Sequence, residues 1–173
     1  MASPGPEKAR LPPRWFIRAF WVVHRRVVRL TRGRIGLWRP KPDGRGALRL
    51  TTVGRRTGRE HAVILGYVED GPNLVTMAMN GWGAPEPAWW LNLQAQPDAR
   101  VELPGAPPRL VTAHAAEGVE RERLWARWQA IDRGLDAFAA RRPRETAVVV
   151  LAPRRAAAAA TAGGLRPPAA PSG

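Results

Sequence analysis

Between Ala47 and Ala115, apolar and β-branched stretches of four to nine residues are cut short repeatedly by glycine and proline. That cadence limits the fold more than any other feature of the chain. Ala47–Val53, His61–Glu69 and Leu74–Met79 read as strands, separated by Gly54–Arg59 and by the turn Asp70-Gly71-Pro72. Arg100–Leu103 and Arg109–Ala115 read as a further hairpin around Pro104-Gly105-Ala106-Pro107-Pro108, and Thr146–Ala152 as a last strand that is apolar throughout. Three helices are expected around them. Residues 14–32 place Phe16, Phe20, Val23, Val27 and Leu30 on one face and Arg14, Arg18, Arg25, Arg29 and Arg32 on the other, with Trp15 and Trp21 at the boundaries. A short helix runs from Ala88 to about Gln96, with Pro87 in its first turn and Pro97 closing it. A long helix from about Val119 to Ala140 carries Leu124, Trp128, Ile131, Leu135 and Phe138 at 4-3-4-3 spacing, with Gly134 as a candidate break. Six short strands, mostly in hairpins, with helices at the margins predict an α+β, mainly β fold: a small antiparallel barrel with peripheral helices. The organisation expected is a flexible tail over 1–13, the basic helix and a Gly/Pro/Arg connector over 14–46, the barrel domain over 47–153, and an Ala/Pro/Gly tail over 154–173.

The most pointed local feature is the first of the turns. Leu50-Thr51-Thr52-Val53 starts as a strand, breaks at Gly54 and continues through Arg55, Arg56 and Thr57 to Gly58 and Arg59. Glycines at both ends allow positive φ, successive N–H groups in such a turn can form an anion-binding nest, and arginine forks suit phosphate or carboxylate. The competing reading is a hairpin turn with solvated basic side chains. Charge placement favours an anion. Residues 1–59 hold 16 Lys and Arg against two acids, Glu7 and Asp43, whereas residues 60–173 balance 12 against 12, so the entire net charge of +14 lies in the first third.

Several function classes are excluded. There is no cysteine, and serine occurs only at Ser3 and Ser172, in the tails, which leaves no plausible serine or cysteine nucleophile. His24, His61 and His114 are far apart and lack a second ligand at metal spacing, so no metal site is expected. The glycine-arginine turn is followed by a strand and lacks the Gly-Lys-Ser/Thr of a P-loop, and no Gly-x-Gly-x-x-Gly lies in a parallel βαβ unit. With so few groups for chemistry of its own, an enzyme of this composition would rely on a cofactor. Trp82, Trp89 and Trp90 around the Gly/Pro loop could stack a planar ring or pack in the core, and Asn80-Gly81 at a strand end is a usual place for ligand-orienting polar groups. A basic surface with aromatics also suits nucleic acid, but no nucleic-acid motif is present.

Three segments together resemble the deazaflavin-dependent nitroreductase family, the split-barrel reductases that use coenzyme F-420. They are Leu50-Thr51-Thr52-Val53-Gly54-Arg55-Arg56-Thr57-Gly58; Ala78-Met79-Asn80-Gly81 followed by Pro87-Ala88-Trp89-Trp90-Leu91-Asn92-Leu93 and Pro97; and Ala147-Val148-Val149-Val150-Leu151-Ala152-Pro153. The resemblance covers roughly residues 20–155 and implies a six-stranded split β-barrel, related to FMN-binding barrels, that holds a deazaflavin in place of a flavin, with FMN itself the weaker alternative. It implies that Arg55, Arg56, Thr57, Gly58 and Arg59 bind the phosphate and anionic glutamate tail of the coenzyme. Met77, Ala78, Met79 and Asn80 would line the ring and ribityl chain, and Ala88 and Trp89 would close over them. The implied reaction is hydride transfer from C5 of the reduced deazaflavin to a small-molecule acceptor: a quinone, a nitroaromatic or an activated C=C bond. A non-catalytic deazaflavin or flavin carrier and a basic nucleic-acid-binding barrel are the alternatives. Some members line the substrate side with several tyrosines near the C-terminal helix; here the only tyrosine is Tyr67, and the corresponding segment 132–144 carries Leu135, Asp136 and Phe138. Met79 stands where the family often has a small polar residue. The expected setting is the cytoplasm, with residues 14–32 free to rest on an anionic membrane surface, to pack on the barrel or to pack on a second subunit of a homodimer.

Overall fold

The computed structural model describes residues 36–154 other than 43, 82 and 84. The expected helix over 14–32, Trp82 and both tails therefore lie outside the described residues. The six strands are β1 (Gly46–Val53), β2 (Glu60–Asp70), β3 (Asn73–Met77), β4 (Asp98–Glu102), β5 (Arg109–Ala115) and β6 (Val148–Pro153). They close an antiparallel barrel in the order β1-β2-β3-β6-β5-β4, β4 pairing back onto β1. Among the described residues three helices accompany them: α1 (Ala88–Ala95), α2 (Gly118–Ile131) and α3 (Leu135–Ala139).

Strand alternation decides which side chains enter the barrel. On β1 and β2 the register sets Leu48 opposite Leu65, Leu50 opposite Val63 and Thr52 opposite His61. Leu48, Leu50, Tyr67, Leu74, Val101, Val111, Val149 and Leu151 accordingly form one buried cluster inside. The opposite faces of β3 and β6 are covered too. Val75, Met77, Val148 and Val150 join Leu124 and Trp128 of α2 and Leu135 of α3 in a second cluster. Burial on both faces is why the last strand is apolar at every position rather than at alternate ones.

The helical spacing from Leu124 to Phe138 identifies the correct buried face but not one helix. The chain turns between Asp132 and Gly134, where the Asp132 carboxylate accepts the Gly134 N–H at 3.0 Å. The Asp136 carboxylate then accepts from Trp125 Nε1 at 2.9 Å and Gln129 Nε2 at 2.6 Å, which ties α3 back against α2. The expected strand Leu74–Met79 also ends early, at Met77. Ala78 still donates to the Ala147 carbonyl at 2.9 Å, but Met79 turns its N–H back to Met77 O at 2.8 Å, a tight reversal that ends the strand. The connector ahead of β1 is attached rather than loose, since Trp38 and Ala47 exchange backbone hydrogen bonds of 3.3 and 2.8 Å.

Candidate functional site

β2 pairs with β1 along its length from Glu60 to Tyr67, but with β3 only through Val68, Glu69 and Asp70. Among the described residues no strand covers the other edge of β2 from Glu60 to Tyr67. Thr76 Oγ1 closes the last paired level by donating to Gly66 O at 2.8 Å. Beyond that level the barrel wall is split. The edge of β2 stands on one side, the end of β3 and the segment leading to α1 on the other, and the turn Gly54–Arg59 rises at the top of the β2 edge. Val63 and Leu65 face inward here and are only partly buried, packed against the core cluster that also contains Ala78 and Trp89. Antiparallel pairing is what brings these distant segments to one end: β1 and β3 both finish there and β2 begins there.

The turn is built differently from the expectation. Only Gly58 has positive φ, 66°. At Gly54 the constraint is space: a Cβ there would lie 2.7 Å from Cδ2 of the exposed His61 ring, which would have to swing aside, and 3.1 Å from the fixed Arg59 carbonyl oxygen. The anion nest is not formed. Gly54 N–H donates to Arg59 O at 2.8 Å, the N–H groups of Thr57 and Gly58 both donate to Gly54 O at 3.2 and 2.8 Å, and Arg59 N–H donates to Thr57 Oγ1 at 3.4 Å. With every N–H of the turn but that of Arg56 engaged, what the turn chiefly presents outward is its arginine side chains. Residues 55–59 are all exposed. Among the described residues no acid pairs with Arg55, Arg56 or Arg59.

Asn92 holds this turn in place, a role the sequence did not disclose. Its side chain is 5% exposed. Oδ1 accepts the backbone N–H of Arg55 at 3.2 Å and Arg55 Nη1 at 3.4 Å, and Nδ2 donates to Thr52 Oγ1 at 3.2 Å. The one available signal was a polar residue on the buried face of an otherwise apolar helix, since Trp89, Trp90 and Leu93 are its buried neighbours on α1. Asn92→Ala is expected to cost about 1–2 kcal/mol, because it leaves the Arg55 amide without its partner and the buried Thr52 hydroxyl with only a long 3.5 Å bond to the His61 carbonyl. Urea denaturation measures the loss, and faster hydrogen exchange at the Arg55 amide would place it at the turn.

The remaining residues divide by orientation. Ala78 is fully buried and Trp89 nearly so, Asn80 and Ala88 are exposed, and Met79 is partly buried. Met77 points out of the barrel into the cluster under α2, so only its main chain faces the split. Ala78 is held by a second residue that spacing did not reveal. The Arg142 guanidinium, with no exposed side-chain surface, donates to Ala78 O and Thr146 Oγ1, each at 2.8 Å, and pairs with Glu86 Oε1 at 3.1 Å. It thereby joins the end of β3, the Gly/Pro loop and the approach to β6. Two cavities, of about 470 and 260 Å³, are lined by other residues. Among the described residues, the edge of β2 from Glu60 to Tyr67 leaves the split unpaired on that side.

Comparison with known proteins supplies the last observation. A family model described as F420H(2)-dependent quinone reductase matches residues 21–153. The F420H(2)-dependent quinone reductase of Mycobacterium tuberculosis is 34% identical over 119 residues, covering 65% of this chain and 77% of that protein. A solved F420-H2-dependent reductase superposes with a TM-score of 0.55 at 23% identity, covering 68% of this chain and 98% of its own. A solved domain-swapped dimer gives a TM-score of 0.57 at 26% identity, covering 78% and 98%.

Proposed function

The chain belongs to the F420H(2)-dependent quinone reductase family, and from that premise we propose that the split between β2 and the end of β3 is where it holds coenzyme F-420. The protein is an oxidoreductase acting on a quinone with this deazaflavin coenzyme. The observation that carries the site assignment is the set of three exposed arginines, Arg55, Arg56 and Arg59, unpaired with any acid among the described residues and standing over a cleft with apolar walls. A multiply anionic tail fits such a set, because guanidinium forks bind phosphate and carboxylate oxygens by charge-assisted hydrogen bonds. When bound, the reduced coenzyme supplies a hydride. The chain's own contribution is binding, position and dryness. Val63, Leu65, Ala78 and Ala88 give apolar walls to the ring's surroundings, Asn92 fixes the arginine turn at the rim, and Arg142 holds the Ala78 carbonyl so that the strand end stays put. Asn80 edges the cleft, the Met79 side chain packs beside Met77 against the cluster under α2 and so brings only its main chain to the strand end, and Thr57 and Gly58 shape the turn beneath the arginines.

Titrating the protein into oxidised coenzyme F-420 and into FMN, with fluorescence as the readout, tests the assignment. We expect saturable quenching of the deazaflavin at micromolar protein or below, weaker response with FMN, and turnover of the reduced coenzyme with menadione. Absence of deazaflavin quenching would overturn the site. Binding without turnover would favour a carrier; no observation now favours that reading or the nucleic-acid one.

Two finer features belong to the same proposal. The uncovered β2 edge and the domain-swapped dimer among the structural relatives support a homodimer, and light scattering on the purified protein would reject it by returning the monomer mass. No helix of the described residues is long and apolar enough to cross a membrane. The basic and apolar faces of residues 14–32 support attachment to an anionic bilayer surface instead. Equal flotation on anionic liposomes with and without residues 1–32 would reject that.

A further inference from the structure

The opposite end of the barrel carries a second group of unsatisfied polar side chains. Gly46 pairs with Tyr67 there, seven residues along the ladder from the Val53–Glu60 pair beside the arginine turn, a separation of about 23 Å. Tyr67 enters the barrel at this level. It is completely buried, and the edge of its ring lies where a Cβ on Gly46 would come within 2.5 Å of Cε1. Its hydroxyl has no hydrogen-bond partner, and neither has the buried Nε of Arg109. Buried donors of this kind are rare unless water or a ligand completes them.

Next to them is a cavity of about 260 Å³ lined by Arg39, Glu69 and Arg109 together with Leu74, Leu103 and Pro107. Among the described residues, no ion pair engages Arg39, Arg109 or Glu69. Two cations thus face one carboxylate across a small concave site with apolar walls. The Tyr67 pKa is raised by burial first and by Glu69 second, with Arg39 and Arg109 acting in the opposite sense. All three charged groups therefore lie within electrostatic reach of the hydroxyl, which stays protonated and able to donate at neutral pH.

We propose that this cavity is a second ligand site, separate from the coenzyme cleft, which takes a small organic monocarboxylate with a compact apolar body. The carboxylate meets Arg39 and Arg109, the apolar body lies on Leu74, Leu103 and Pro107, and the Tyr67 hydroxyl lies behind this lining. Glu69 sets the charge preference: two arginines against one acid leave a net single positive charge, which balances a monocarboxylate but leaves the second charge of a phosphate dianion desolvated without a matching cation. The volume is below that of ordinary cofactor pockets, which limits the ligand to one ring or its equivalent.

Calorimetric titration of the full chain, without coenzyme, with benzoate tests this, using inorganic phosphate as the second probe. Saturable benzoate binding in the millimolar range or tighter is expected. Arg39→Gln, an exposed position whose change leaves the core intact, should weaken it by about tenfold. Arg109→Gln, the second lining cation, should weaken it by a similar factor. Arg56→Gln should have no effect. The proposal is overturned if benzoate gives no saturable heat. It is equally overturned if binding is lost in Arg56→Gln but kept in Arg39→Gln, which would place benzoate on the arginine turn, or if phosphate binds more tightly than benzoate with the same sensitivity to Arg39→Gln.

Discussion

Replacing Arg55 and Arg56 together by alanine should lower affinity for coenzyme F-420 by about 100-fold or more. Each charge-assisted hydrogen bond to an anionic group contributes about 1.5–3 kcal/mol, and two of them amount to at least two factors of ten. The fold should not change, because both side chains are exposed and the turn is held by its own main chain, by Thr57 Oγ1 and by Asn92. The measurement is deazaflavin fluorescence quenching on the double variant, with its thermal midpoint as the control. Lysine at both positions should recover part of the affinity, since it restores charge but not the planar fork. Wild-type affinity should fall with added salt as exposed charges are screened. Affinity within twofold of wild type in a folded alanine double variant would move the coenzyme's tail away from this turn.

Arg142→Met should destabilise the protein by about 3–5 kcal/mol, the usual cost of removing one partner from a buried charge pair. The Ala78 carbonyl and Thr146 hydroxyl lose their donor and Glu86 loses its counter-ion at a largely buried position. The pair is not fully satisfied even in the native fold, since Glu86 Oε2 and Arg142 Nε are buried without partners. The double variant Arg142→Met with Glu86→Leu should for that reason recover most of the loss. Urea denaturation of wild type, both single variants and the double variant closes the cycle. A loss below about 1 kcal/mol in Arg142→Met would show that the guanidinium does not hold these segments together. Because Ala78 borders the cleft, the single variant should also bind the coenzyme more weakly under conditions where it remains folded.

The strands were legible because their signals are local. Each is bounded by glycine or proline, and Arg109–Ala115 begins and ends where the residues indicate. The helix expected over Val119–Ala140 shows the limit of periodicity. Leu124, Trp128 and Leu135 do share one buried cluster, yet the same spacing serves a continuous helix and one broken by an Asp132–Gly134 turn, whose cause is a side-chain hydrogen bond. Gly54 shows another limit. The space for a side chain there is limited by the His61 ring and the Arg59 carbonyl across the hairpin, contacts absent from local φ preferences.

By itself the sequence determined the mainly β architecture, the concentration of positive charge ahead of residue 60, the lack of cysteine with serine confined to positions 3 and 172, and the glycine-arginine composition of the first turn. These are properties of composition, of order along the chain and of period, which survive without coordinates. Tertiary structure alone decided that β2 outruns β3 and leaves the wall split, that all but one of the N–H groups of the turn are engaged so that it offers chiefly side chains, and that Met77 faces away from the cleft. It alone joined Asn92 to Arg55 and Arg142 to Glu86, across 37 and 56 residues. The physical reason is common to all of these. Hydrogen bonds and ion pairs between distant segments depend on register and closure of the barrel, and a chain read residue by residue carries no signal for a partner that only pairing brings near.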